Sequence, residues 1–150
     1  MRVRIYTDTS VLGGCEDGEF REPSRRLLDA FQRGELMLVL SELTIRELEG
    51  APDAVRTALG RVPGEHVEAL ALSPEAEDLA SAYIADGAIG AHMHADALHI
   101  ALATVARVDV LVSWNFKHIV NLKRIHAYNA VNLKRGPPSR DTNSPGGARR

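Results

Sequence analysis

A chain of 150 residues with 45% hydrophobic and 25% charged side chains has room for one domain with a sizeable core, and it has the composition of an ordinary soluble globular protein. A single cysteine, Cys15, excludes an intrachain disulfide and suits a reducing compartment, no apolar run approaches the roughly 18 residues that cross a bilayer, and the N-terminus lacks a signal-peptide pattern; a cytoplasmic protein without membrane contact is expected. The net charge of −2 conceals an asymmetry, because Lys117 to Arg150 holds eight bases against one acid (+7) while the preceding 116 residues carry −9, which suits either an anionic polymer partner or a solubilising basic tail.

The first element is a strand. Val3, Ile5 and Tyr6 have the β-branched and aromatic character that fits a pleated sheet, and the run ends abruptly on Asp8, followed by two hydroxyls, Thr9 and Ser10, and the turn signal Gly13-Gly14. Ser24 is expected to cap a helix carrying Leu27, Leu28 and Phe31 on one stripe and ended by Gly34. "ELMLVLS" (35–41) is too short for a helical pattern and reads as a buried strand. Ser41 then caps "ELTIRELEG", which Gly50 and Pro52 terminate, and a helix over about 52–61 shows the stripe Ala54, Val55, Ala58 and Leu59. "VEALALS" (67–73) reads as a short strand, and Pro74 opens a helix to about Asp86. A loop "GAIGAH" leads to a long apolar helix over about His94 to Arg107. "DVLVS" (109–113) is a further buried strand and "RIHAYNAV" (124–131) a last one.

Strands alternating with helices predict right-handed βαβ units, hence an α/β fold with a mainly parallel sheet. Residues 1–136 form the expected domain, and 137–150, rich in Pro, Gly and Arg and without periodicity, an extended tail.

Parallel sheets bind ligands beyond the carboxyl ends of their strands. The polar residues that this topology sends there are Asp8, Ser41, Ser113 and Asn115. Glu47 lies within two helical turns of Ser41 and can lean back toward the same edge, and Asp96 sits in the first turn of its helix, facing that edge through the preceding loop. Three carboxylates brought together repel unless a cation neutralises them, and an all-oxygen set suits Mg²⁺ or Mn²⁺. Each residue also has an ordinary structural use: Asp8 as a turn former, Glu47 as part of a solvated face with Glu42, Arg46 and Glu49. Asp96 is different, since it interrupts "AHMHADALHIALATVA", a helix apolar on several sides. Asp109 starts its strand instead of ending it, roughly 16 Å from the active edge at about 3.3 Å per residue, and is left out of the site. His92, His94 and His99 invite a zinc site, but the chain has one cysteine and no C-x-x-C, so packing or support of a neighbouring ligand is expected, His99 standing three residues from Asp96 where it can pair with that carboxylate.

Four blocks, "YTDTSVL" (6–12), "SELTIREL" (41–48), "HADALHIALA" (94–103) and "LVSWNFKHI" (111–119), resemble in order and spacing the PIN-domain nucleases, and more narrowly the VapC-like toxins of bacterial toxin–antitoxin pairs, with weaker similarity through "RIHAYNAVNLKRGPP" (124–138). The resemblance implies a three-layer α/β/α sandwich and an Mg²⁺- or Mn²⁺-dependent ribonuclease whose metal is held by Asp8, Glu47 and Asp96. It puts the family's fourth acidic position on Asn115, an amide that can bind or orient through its oxygen but brings no charge. Ser113, Lys117 and His118 fall where substrate would be held, although Lys117 and His118 also suit a solvated helix start. Trp114 suits either packing or stacking on a base. RNA, an antitoxin protein and a homodimer are the implied partners. Two rivals stand beside this: a PIN-like binding module that has lost catalysis, favoured by Asn115, and a phosphatase using Asp8 as nucleophile, for which the D-x-D pattern would need an acid where Ser10 stands.

Overall fold

A computed structural model describes residues 2–16 and 18–114. They fall into two compact units: the residues up to Ala71 together with those from Val108, and Leu72–Arg107. The first unit carries the sheet. Its strands are β1 (Val3–Thr7), β2 (Leu36–Ser41), β3 (Val67–Leu70) and β4 (Val110–Val112), all parallel, in the order β3-β2-β1-β4. Its helices are α1 (Thr9–Gly13), α2 (Arg21–Gln32), α3 (Glu42–Leu48) and α4 (Asp53–Gly60). The second unit holds α5 (Pro74–Ala85) and α6 (His94–Val105).

Register fixes which ends align. Ile5 pairs with Leu38 and Val110, Tyr6 with Val39 and Leu111, and Thr7 with Val112, so the chain leaves β1, β2 and β4 at one edge. With a side-chain period of two, Ile5, Leu38 and Leu40 point one way and join Leu12, Leu28, Phe31, Val55 and Val62 in the core of this unit. Tyr6, Val39 and Ser41 point the other way and are also fully buried. Burial on both faces is what the continuous apolar runs of a parallel sheet require.

Helix ends follow local chemistry. Ser41 is the N-cap of α3 and accepts from the Thr44 N–H, and Ser73 caps α5 in the same way through Ala76, with Pro74 at the first helical position. Both α2 and α5 end in a glycine with positive φ: Gly34 at 78° and Gly87 at 80°. In each, the glycine N–H and that of the following residue return to carbonyls of the last turn (Phe31 and Ala30; Ile84 and Tyr83), a Schellman ending that a side chain at C′ would strain. In the second unit, α5 and α6 bury Ala76, Leu79, Ala80 and Tyr83 with Ala97, Leu98, Ala101 and Leu102, and the Tyr83 hydroxyl meets Thr104 Oγ1 at 3.4 Å.

Several sequence expectations need correction. Ser24 does not cap α2: the helix starts three residues earlier at Arg21, because Pro23 is tolerated in a first turn whose N–H groups lack intrahelical partners, and Ser24 is buried inside it. Gly13-Gly14 is not a hairpin-like turn; Thr9–Gly13 is a short helix running into a 3₁₀ turn at Gly14–Glu16. The strand expected over 67–73 ends at Leu70, and the helix expected to reach Arg107 ends at Val105, with Arg107 at φ 56°. The strand expected at 124–131 and the tail 137–150 lie outside the described residues.

Candidate active site

Asp8 follows the last residue of β1 at the carboxyl edge of the sheet and is 2% exposed. It is the N-cap of α1: Oδ1 accepts from the Ser10 N–H at 3.1 Å and from the Ser10 hydroxyl at 2.6 Å. Oδ2 accepts from the Ser113 hydroxyl at 2.5 Å, across 105 residues of sequence. The turn-forming use of Asp8 is therefore real, and it accounts for one oxygen. A carboxylate has about four lone-pair sites, of which these bonds occupy three. Among the described residues no Lys, Arg or His forms an ion pair with Asp8. The donors that these bonds bring to Asp8 are a backbone amide and two hydroxyls, all neutral groups.

Glu47 belongs to the same neighbourhood. The Thr9 hydroxyl, one residue beyond Asp8, donates to Glu47 Oε1 at 2.6 Å. Half-buried Glu47 is thus not simply one of a row of solvated acids; Glu42, Arg46 and Glu49 on the same helix are exposed. The two hydroxyls after Asp8 divide the work, Thr9 holding Glu47 and Ser10 holding Asp8.

Beneath them, the Tyr6 hydroxyl and Ser41 Oγ share a hydrogen bond of 2.8 Å, tying β1 to the cap of the helix that carries Glu47. Burial pushes the Tyr6 phenol up to about 12, and the charges of Asp8 and Glu47 push the same way against hydrogen bonds to Ser41 and Thr44 that lower it. The phenol stays neutral over the whole physiological range, and it feels both carboxylates.

The residue after Ser113 is anchored three ways. The Trp114 N–H donates to Ser10 Oγ at 2.9 Å, its indole N–H donates to Ser24 Oγ at 2.8 Å, and its ring stacks on Phe20 with centroids 5.2 Å apart and planes 5° from parallel. Thr9, Ser10 and Ser24 are not among the site residues expected from the sequence, and Trp114 enters there only as packing or as stacking on a base. The hydroxyl pair after Asp8 is the signal for Thr9 and Ser10.

Asp96 lies in the first turn of α6, half-buried, and His99 is buried one turn on in the second unit. Asn115, Lys117 and His118 lie outside the described residues. Among the described residues no three acids, histidines or cysteines gather as a metal-binding group. The first unit's own contribution is two carboxylates set among hydroxyls, an oxygen-only donor set. It fits Mg²⁺ or Mn²⁺ in kind, since Mg²⁺ is commonly held by one or two carboxylates with water completing its shell.

No family model matches the sequence, and no curated protein matches it. Among solved structures, the crystal structure of VapC20 of Mycobacterium tuberculosis, a toxin that cleaves the sarcin–ricin loop, aligns with a TM-score of 0.56 over 82% of this chain and 94% of its own, at 14% identity. The chain has the PIN-domain fold. An all-parallel sheet flanked by helices, in the α/β/α arrangement of VapC-like PIN proteins, is what the alternation of strands and helices predicts. At this identity the likeness is one of fold, and chemistry has to be argued from the residues. No helix among the described residues is long and apolar enough to cross a membrane.

Proposed function

We propose that this PIN-fold chain is a divalent-metal-dependent endoribonuclease that hydrolyses RNA phosphodiester bonds, acting as the toxin of a bacterial toxin–antitoxin pair in the cytoplasm. The observation that carries the reading is Asp8: buried at the carboxyl edge of a parallel sheet, bonded on both oxygens by neutral donors, with one lone-pair site over and no basic side chain against it among the described residues. The structural neighbour VapC20, named as a toxin that cleaves an RNA loop, supports the same class.

In this reading Asp8, Glu47 and Asp96 hold Mg²⁺ or Mn²⁺. When bound, the ion supplies Lewis acidity toward a phosphoryl oxygen and lowers the pKa of a coordinated water. The chain's own residues do the rest. Ser10 and Ser113 hold the Asp8 carboxylate in one rotamer, and Thr9 does the same for Glu47. Ser113 and Asn115 orient the attacking water, Lys117 and His118 hold the substrate phosphate, and the +7 segment from Lys117 draws in the RNA backbone. An antitoxin protein and a second copy of the chain are the partners proposed with the toxin role.

The test is cleavage of a mixed structured RNA pool with Mg²⁺, Mn²⁺ or EDTA, beside Asp8→Ala and Asp96→Ala. Cutting that needs the ion and vanishes in both variants is expected. RNA that is bound but intact in every lane would overturn catalysis and favour the binding-module reading that Asn115 suggests.

A further inference from the structure

The three anchors of Trp114 concentrate on one peptide, and that peptide directly follows Ser113. Ser24, the acceptor for the indole N–H, is fully buried inside α2, so the anchor is a rigid helix interior and not a surface side chain. The approach is close enough that a Cβ on Gly14 would collide with Ser24 Oγ and stand 2.8 Å from the Trp114 indole nitrogen. Glycine is required at 14 by the latch itself.

Proton counting shows what the latch achieves. A serine hydroxyl has one proton and two lone pairs. Ser10 Oγ accepts from the Trp114 N–H, which leaves its single proton directed at Asp8 Oδ1. Ser113, held at the start of the same latched segment, gives its proton to Asp8 Oδ2. The two hydroxyls also lie 3.3 Å apart, a longer contact in which either could donate. The hydroxyls are thereby aimed at opposite oxygens and together orient the carboxylate.

We infer that Trp114 is a positioning residue: through Ser24, Phe20 and its own backbone N–H it sets the Ser10 and Ser113 hydroxyls that present the Asp8 carboxylate to a divalent cation. This rests on the metal-dependent reading above. It assigns the Trp114 ring to its contacts with Ser24 and Phe20 and not to stacking on an RNA base.

Ser24→Ala is the informative variant, because it removes the indole acceptor while keeping the chain's one tryptophan as an optical probe. Two quantities are measured on the full chain: exchange of the Trp114 backbone amide without metal, and Mn²⁺ affinity by calorimetry and tryptophan emission, with kcat and KM for RNA alongside. Expected are amide exchange at least about tenfold faster and Mn²⁺ binding about tenfold weaker, the lower end of the roughly 10- to 100-fold loss that outer contacts to metal ligands produce. The loss should fall on kcat, with KM for RNA unchanged. Trp114→Phe, which keeps a ring for Phe20 and the backbone N–H, should show the same pattern, and serves if Ser24→Ala fails to fold. Unchanged amide exchange overturns the inference, as does faster exchange with Mn²⁺ affinity intact. A rise in KM alone would point to base stacking and overturn it too. A wild-type protein that takes up no Mn²⁺ overturns the metal reading and this inference with it, and the wild-type titration identifies that case by itself.

Discussion

Asp8 and Asp109 stand at opposite ends of one parallel sheet, and their surroundings differ in kind. At the amino edge, Asp109 Oδ2 accepts from the Arg4 N–H at 2.8 Å while the Asp109 N–H donates to the Arg4 carbonyl at 2.9 Å, closing the start of β4 onto β1. The neighbouring acid Glu68 is met by the Arg4 guanidinium through two bonds of 2.9 and 2.8 Å, the fork geometry that suits a carboxylate. Asp109 thus ties β4 to β1 through backbone bonds, and Glu68 on β3 takes a cation supplied by the chain. At the carboxyl edge, Asp8 and Glu47 are met by the hydroxyls of Ser10, Ser113 and Thr9. Hydroxyls orient a carboxylate without cancelling its charge. The contrast separates an acid that ties two strands through backbone bonds from acids held by side-chain hydroxyls at the carboxyl edge, where oxygen donors for a cation gather.

The largest effect expected from breaking this contrast is at Asp8. Asp8→Ala should lower kcat for RNA about a thousandfold, roughly 4 kcal/mol of barrier. Asp109→Asn, measured in the same assay, should leave kcat within about twofold and instead lower the unfolding free energy by about 1 kcal/mol, one hydrogen bond weakened. Equal losses of activity in the two variants would erase the distinction between the edges.

Tyr6 is fully buried below the site, and its phenol is raised mainly by that burial, with the charges of Asp8 and Glu47 adding to it. Its folded-state pKa is raised to about 12 from an ordinary 10, so the folded protein holds that proton more tightly than the unfolded chain. Between pH 10 and 12 the unfolded chain has lost the proton and the folded one has not, and stability falls as pH rises through that window. Urea denaturation should show wild type losing about 2–3 kcal/mol more than Tyr6→Phe between pH 9 and 12, the free energy of a two-unit difference. Parallel curves would show that the phenol is not so placed.

Smaller effects sharpen the picture further. Gly14→Ala should cost about 1–3 kcal/mol and shift tryptophan emission, since the added methyl must displace Ser24 or the Trp114 indole. Thr7, fully buried one residue before Asp8, has an Oγ1 without a hydrogen-bond partner among the described residues. Thr7→Val should therefore stabilise the protein by about 1 kcal/mol, and thermal denaturation that shows a loss would place a partner there.

Much of this was legible from short-range pattern. The abrupt change from apolar strand to carboxylate located Asp8, and Ser41 before "ELTIREL" located both a helix start and the helix bearing Glu47. Those signals are local, since a cap and its helix lie within four residues. The alternation of strands and helices brought Ser113 to the edge of Asp8, and what stayed hidden are the contacts of Trp114 across 104 and 90 residues, on Ser10 and on Ser24. No periodicity encodes these. Ser24 misled because a serine before an apolar stripe is a good cap signal, and Pro23 in the first turn gave the competing one. The short helix after Asp8 was masked by two glycines, whose turn propensity the Asp8 cap overrides.

The account stands most directly on a calorimetric titration of Mn²⁺ into wild type, Asp8→Asn and Asp109→Asn at pH 7, with the wild type repeated toward pH 5. It predicts uptake by wild type and Asp109→Asn, none by Asp8→Asn, and weakening on acidification as the carboxylates take up protons. Equal uptake by all three proteins, or none by the wild type, would contradict the claim that the carboxyl edge is built to receive a cation.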